Sequence, residues 1–485
     1  MLFEGANLYA RWRSSPEFIP LLHSTSTKPA ERLLQVIWHH QRLQRDRLHT
    51  IDGRSVKVLH PGFWSHEGGP DFRRAVIQID NETPITGDIE LDLEESGWQT
   101  HGHDRTRTFN HVILHVIWGT PKVSKTSIPT LNLMDFLDSP IADLEKQLAR
   151  EKVEPWPQLL HGNCSSPLSS LGPEALREVL EQAAQVRLQR KAETFIARSK
   201  QVGWAQTFWE GLFRALGYKQ NGWAMEALAR SLPQLSKEAK MDVTTCQAEL
   251  LGMSGLLEKS NSKDFKGNNY LRSLWDHWWR ERERLREFIL PLQLWTFAGV
   301  RPANHPIRRL ALAAHWLVRA DLQRNVESWI LSDSTDSLEL EKFFQVSEDP
   351  FWSHHWTPGG QRLIKPQPLL GPQRFSDIVI NVVLPLFWAR AVLGENHQLR
   401  ERVQKIFFAW PGAEDNSVLK MARQRLLKGC KGSVLKTSAM QQGLFQIVRD
   451  FCDHSDALCS NCEFPALVKA FSNQRQKDVP LAAVP

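Results

Sequence analysis

Cysteine and tyrosine are scarce in this chain, with six and three residues in 485. Six thiols are too few for a disulfide scaffold at this length, which excludes the small cross-linked secreted folds and suits a reducing compartment. Residues 1–13 hold no cationic segment followed by an apolar core, so no secretory leader is expected. Long apolar runs are missing as well. The best, Ile378 to Leu393, contains Asn381, Pro385 and Arg390 and reads as a buried helix or strand, not a membrane span. The expectation is a soluble cytoplasmic protein with no membrane partner. One further absence is local. No lysine or arginine lies between Ala75 and Asp104, while eight acids do: Asp80, Glu82, Asp88, Glu90, Asp92, Glu94, Glu95 and Asp104.

That acidic stretch sits in a chain of net charge +6. Arg400 to Lys436 alone carries nine basic residues against Glu401, Glu414 and Asp415, which equals the whole excess. A basic stretch away from an acidic one suits a polyanion held in one place and processed in another. A solvated helix face is the plain alternative. The length predicts two to four domains, and 41% hydrophobic with 24% charged residues are globular values. The nineteen tryptophans read mainly as core and helix-packing residues, with a minority available to stack on a ligand.

Within the acidic stretch, Gly87-Asp88-Ile89-Glu90-Leu91-Asp92-Leu93 alternates with period two and reads as a half-buried strand. Asp88, Glu90 and Asp92 then share one face, and Ile89, Leu91 and Leu93 take the other. Three carboxylates in a row repel one another, and a divalent metal is the economical way to offset them. Histidine is concentrated nearby. His60, His66, His101, His103, His111 and His115 fall within 56 residues, where about two are expected from 18 in 485. Imidazoles beside carboxylates suit metal ligation or acid–base work.

The surrounding pattern predicts an amphipathic helix over 30–45, strands at 55–59, 72–79 and 88–93, a short helix or structured loop over 97–107, and a strand at 112–118. Proline-containing sequence follows to residue 173. From there the reading is helical, including 174–199, 204–216, 224–231, 270–290, 305–319, 321–331, 384–392, 398–408 and 418–427. The fold class expected is α+β.

This order of elements, and the residues on them, resemble the PD-(D/E)XK nuclease superfamily with its restriction-endonuclease-like fold. Gly69-Pro70-Asp71-Phe72 matches the family's Asp at the start of the second strand, and Glu90-Leu91-Asp92 its acidic-x-Lys element. The resemblance implies an αβββαβ core in residues 1–123; proline content and helical patterning give a linker in 124–172, a helical domain in 173–440 and a helical C-terminal segment in 441–485. It implies Mg²⁺ or Mn²⁺ held by Asp71 and Glu90, with Glu31 (or the amide of Gln35) and Asp92 assisting. The departure is Asp92, which stands where the family has lysine. A carboxylate can ligate a metal or act as a base, but it brings no positive charge. His103 or His115 is the candidate substitute. The chain is also similar to an uncharacterised bacterial family, a domain of unknown function, over most of its length. The residues that carry this include Glu31-x3-Gln35-x2-Trp38, Thr50-x-Asp52-Gly53, Gly87-Asp88-Ile89-Glu90, Trp98-x2-His101-Gly102-His103-x-Arg105, Val112-Ile113-Leu114-His115-Val116 and Gly299-x-Arg301-Pro302-x-Asn304-x-Pro306-x-Arg308-Arg309-Leu310.

Near the C-terminus, Cys452-x-His454-x4-Cys459-x2-Cys462 offers three thiols and an imidazole. A structural zinc ion fits this spacing, with Cys430 or Cys164 able to complete the set; an iron–sulfur cluster or simply buried reduced cysteines are the alternatives. The Gly299–Pro306 turn places Arg308 and Arg309 in the first turn of a helix, as phosphate contacts or as solvated side chains. Three functions are open. The first is a metal-dependent nuclease acting on DNA or RNA. The second is a nucleic-acid-binding or scaffold protein with a degenerate nuclease core. The third is a metallohydrolase of another substrate class, with the histidines as principal ligands.

Overall fold

The structure, a computed structural model, describes residues 7–14, 29–65, 69–100, 103, 106–119, 128–148, 164–235, 242–258, 268–319, 321–346, 348–414, 417–427, 435–452 and 462–478. The chain is α+β and mainly helical, with a mixed sheet towards the N-terminus. It divides into two compact units. The first comprises residues 1–42, 139–194 and 403–485, the second 43–138 and 195–402.

The second unit holds the sheet: β1 (Val56–His60), β2 (Phe63–Trp64), β3 (Phe72–Ile79), β4 (Ile85–Asp92), β5 (Val112–Ile117) and β6 (Thr130–Asn132). The strand order is β1-β3-β4-β5-β6, with β2 added beside β3. β1, β3 and β4 pair antiparallel, while β4–β5 and β5–β6 are parallel. A parallel pair cannot be joined by a hairpin, so the chain must cross over between β4 and β5. That crossover contains the helix Gly97–Thr100 and the 3-10 turn Arg107–Phe109. The expected strands at 55–59, 72–79, 88–93 and 112–118 are all present within a few residues; β2 and β6 were not anticipated. β4 is not half-buried as its alternation suggests. Glu90 and Asp92 are as buried as Ile89 and Leu91, because the crossover covers the polar face too.

Most of the other described elements of the chain are helices. The segments expected at 174–199 and 204–216 form one helical stretch, Pro173–Leu216, broken at Gly203 with φ of 78°. Only glycine adopts that left-handed conformation without strain, which is why the break falls there. Val243–Met253 and Asn269–Leu285 pack so closely that a Cβ on Gly252 would overlap the Trp278 ring. Pro372–Leu393 runs through a π-helical turn at Val379–Val383. It is long and apolar enough to cross a membrane, but 67% of its most apolar window is buried within the protein. Burial of Trp38, Trp278, Trp316, Trp352 and Trp388 bears out their core role, whereas Trp279 is exposed.

The sheet is tied to helix Tyr218–Arg230 through Glu226. Its buried carboxylate accepts from Arg45 and Arg214, with Arg230 at 3.5 Å, and Arg230 also donates to the Val58 carbonyl on β1. Burial alone would push the Glu226 carboxyl up. Arg45, Arg214 and Arg230 together outweigh it and hold the group well below the usual carboxylate range. The mirror effect falls on Arg45, which burial lowers to about 10 against the pull of Glu226.

The first unit is built on one apolar cluster that includes Leu180, Leu444, Ile447, Phe464 and Val468. Gly443 lies against the Leu180 backbone, where any Cβ would collide. Across the same unit the Tyr9 hydroxyl donates to Asp450 Oδ2 at 2.8 Å.

Removing the Glu226 charge strands its arginines, so Glu226→Gln should cost about 3–5 kcal/mol in chemical denaturation. The depressed folded pKa fixes the sign of the pH dependence. This contribution is complete above the unfolded carboxylate value of 4.5 and is lost as pH falls below it. The variant should therefore lose less stability on acidification than the parent.

Candidate metal centre

The centre forms at the seam between β3 and β4. Asp71 precedes β3, and its backbone N–H donates to Glu90 Oε2 at 3.1 Å. In return the Leu91 N–H donates to Asp71 Oδ2 at 3.1 Å. Each carboxylate is thus fixed by the backbone of the other's strand. Between Phe72 and Ala75 the ladder slips out of register, with Arg74 at a φ of 57°. The Arg74 N–H at this irregularity donates to Asp88 Oδ1 at 3.0 Å. Asp88 therefore serves the backbone bulge and lies apart from the metal group.

Asp92 has a different neighbour. His115 Nε2 lies 3.0 Å from Asp92 Oδ2, and both side chains are buried. The Asp92 carboxylate also packs on Gly97, where any Cβ would overlap it. The His115 ring is 5.4 Å from Trp98, the buried residue that the crossover brings over this face. His103 Nδ1 stands 3.6 Å from Glu90 Oε1. Its ring is stacked on Phe109 at 4.0 Å with a 9° tilt, and Trp98 meets it edge-on at 5.3 Å. The Phe109 and Trp98 rings hold His103 at one orientation.

Among the described residues one group of three or more possible metal ligands stands out. Glu90, Asp92 and His103 offer donor atoms that all lie within 4.8 Å of one another, and all three residues are buried. Two carboxylates and an imidazole are a fitting donor set for a divalent ion. Asp71 lies outside this group of three and touches it through its backbone N–H, which donates to Glu90 Oε2. Glu95, just past β4, buries both carboxylate oxygens with no hydrogen-bond partner among the described residues.

Sequence-based candidates separate at this point. Asp71, Glu90, Asp92, His103 and His115 are brought together. Glu31 opens helix Glu31–His40 in the first unit, where its Oε1 is 3.5 Å from Gln35 Nε2. His111 is exposed in the turn just before β5. His60 sits by the rings of Phe63 (4.9 Å) and Trp223 (6.4 Å), and burial pushes its pKa down to about 4. His66, His101, His454, Cys430 and Cys459 lie outside the described residues. Cys164 and Cys452 are buried in the first unit's apolar cluster, and Cys462 packs against it.

The arginines of the 299–306 turn also depart from expectation. Arg308 and Arg309 are buried, not presented to solvent. Arg308 donates to the carbonyls of Trp352 (3.2 Å), Gln367 (3.1 Å) and Pro368 (2.9 Å), and Arg309 to Asn304 Oδ1 at 2.7 Å. They fasten the loop around 352–369 to helix Pro306–Val318, and so are structural in this position. Arg425, within the basic 400–436 stretch, is buried as well, while Lys405 and Lys420 are exposed. The role of His115 was missed by sequence reasoning. Its Nε2 lies 3.0 Å from Asp92 Oδ2, a pairing that depends on the parallel register of β4 and β5 and had no signal in the sequence.

Fold and site together define an α+β protein with a buried carboxylate–imidazole centre on its sheet. The family described as protein of unknown function (DUF2851) matches residues 31–417, and the chain belongs to that family. No curated protein and no solved structure matches it.

Because Glu90 and Asp92 are buried within reach of each other, their charges oppose folding when no cation is present. Glu90→Gln keeps an oxygen for the Asp71 N–H and removes one charge. The metal-free variant should be more stable than the metal-free parent by up to about 1 kcal/mol in urea denaturation. A drop in stability would show that the site's charges are already balanced.

Proposed function

We propose that the chain is a metal-dependent nuclease with a PD-(D/E)XK-type core, cleaving phosphodiesters of DNA or RNA. The observation that carries the reading is the reciprocal clamp between Asp71 and Glu90. It ties the residue before β3 to the carboxylate of Glu90, whose donor atom lies within 4.8 Å of those of Asp92 and His103, and this supports a metal site there. In this reading Asp71, Glu90, Asp92 and His103 hold Mg²⁺ or Mn²⁺. The ion supplies Lewis acidity and lowers the pKa of a bound water.

The protein's own groups do the positioning. The backbone of β3 and β4 aims Asp71 and Glu90. His115 aims Asp92, and this carboxylate–imidazole pair can take up a proton, which a lysine ammonium in the same place cannot. The Trp98 and Phe109 rings pack against His103 and fix its imidazole. The acidic centre is followed directly by Arg73 and Arg74, and Phe63, exposed at 57%, pairs with Arg73 across β2 and β3. Cations and an exposed ring beside a metal centre suit a phosphate backbone and its bases.

A second reading has one specific support. Asp92 occupies the lysine position and is committed to His115, which favours a protein that binds nucleic acid without cutting it. The C-terminal thiols make a separate proposal: a structural zinc ion held by Cys452, His454, Cys459 and Cys462. Its support is their spacing and the placement of Cys452 and Cys462 at one core.

Cleavage of labelled single- and double-stranded DNA and RNA in Mg²⁺ and Mn²⁺ separates the readings. The expected result is turnover by the parent, reduced at least roughly a hundredfold in Asp71→Ala and Glu90→Ala. Salt-sensitive binding with no turnover in any metal would favour the non-catalytic reading, and undiminished cleavage by both variants would remove the assignment of the site.

A further inference from the structure

The geometry points to a centre that selects a transition-metal ion, Mn²⁺ among those tested below, over Mg²⁺, with His103 Nδ1 as a direct ligand. The inference rests on the metal centre proposed above and is independent of the nucleic-acid substrate. Mg²⁺ takes oxygen donors, demands near-ideal octahedral geometry and keeps several of its waters. Imidazole suits transition-metal ions such as Fe²⁺, Ni²⁺, Cu²⁺ and Zn²⁺; Mn²⁺ is well served by oxygen donors too, but it tolerates a nitrogen ligand and departures from ideal geometry that Mg²⁺ resists. The donor set here is mixed and enclosed. Glu90, Asp92 and His103 are only 7%, 2% and 9% exposed. Three protein donors at that depth leave little room for the water shell that Mg²⁺ retains.

The imidazole is a fixed part of this set. Stacking on Phe109 and the edge contact with Trp98 keep the ring from turning away. The 3.6 Å between His103 Nδ1 and Glu90 Oε1 is longer than an ordinary hydrogen bond. It lies in the range expected for two donors that each stand about 2.0–2.3 Å from one shared ion. The division of oxygens on Glu90 agrees: Oε2 is engaged by the Asp71 N–H, and Oε1 faces His103. Asp92 is prepared in the same way. His115 engages Oδ2 from behind, an outer imidazole orienting an inner carboxylate. A direct ion pair between a protonated His103 and Glu90 with no metal would use the same residues, so the decision belongs to metal binding.

Full-length protein stripped of metal and titrated calorimetrically with MnCl₂ and MgCl₂ should bind Mn²⁺ at least roughly tenfold more tightly. Bound Mn²⁺ should show nitrogen modulation in its electron spin echo, shifted when the protein is labelled with ¹⁵N-histidine. In His103→Asp the donor set becomes all oxygen, so the preference should shrink and the nitrogen signal should disappear while Mn²⁺ still binds. Should that variant fail to fold, the ¹⁵N-histidine experiment on the parent decides alone. Equal or tighter Mg²⁺ binding, an unlabelled-type spectrum after ¹⁵N-histidine labelling, or a nitrogen signal that survives His103→Asp would overturn the proposal, as would no binding of either ion. Cleavage of nucleic acid with Mg²⁺ preferred would remove this inference and leave the nuclease reading. Selective Mn²⁺ binding without cleavage would do the reverse.

Discussion

The exchange of backbone hydrogen bonds between Asp71 and Glu90 is the interaction on which the centre depends. A carboxylate buried by itself costs several kcal/mol or takes up a proton. Here the peptide N–H groups of Asp71 and Leu91 accept part of that cost. Because the donors belong to paired strands, the two acids keep their relative position as long as the β3–β4 ladder holds. The slip in the ladder at Arg73 and Arg74 breaks the regular register just after Asp71. Asp88 stabilises that irregularity through the Arg74 N–H.

Each acid on the polar face of β4 thus has its own answer to the same electrostatic problem. Asp88 takes a backbone donor, Glu90 takes a backbone donor and faces His103, and Asp92 takes His115. Asp88 remains half-buried, and separate partners for Glu90 and Asp92 lower the repulsion where the C-terminal half of β4 is buried on both faces. The parallel step from β4 to β5 makes this possible. It forces a crossover, and the crossover carries Trp98, His103 and Phe109 over the carboxylates. Topology therefore encloses the chemistry.

The arginines are distributed by the same rule. Glu226 collects Arg45, Arg214 and Arg230 at the join between sheet and helix, and the guanidinium groups of Arg45 and Arg214 lie 5.7 Å and 4.1 Å from the centre of the Trp223 ring. Arg308 and Arg309 spend their donors on carbonyls and an amide. A net charge of +6 is thus a poor guide to a binding face, because part of the basic excess is internal.

The strands, the helical majority and the acidic face of β4 were legible in the sequence, because period-two and helical patterns are local properties of the chain. The carboxylates Asp71, Glu90 and Asp92 and the imidazole of His103 were legible as residue types in the right order. Their burial was not, since alternation records which side chains share a face but not what covers that face. His115 shows the limit most clearly. Its place on β5 follows from sequence, yet its attachment to Asp92 depends on a parallel pairing between strands separated by the crossover. Arg308 and Arg309 mark the same boundary, as a rigid turn reads alike whether its arginines meet solvent or carbonyls. The sequence by itself determined the acidic strand and the supply of imidazoles around it. Only the tertiary structure decided which carboxylate met which imidazole, because that depends on strand pairing and on how far the crossover shuts out water.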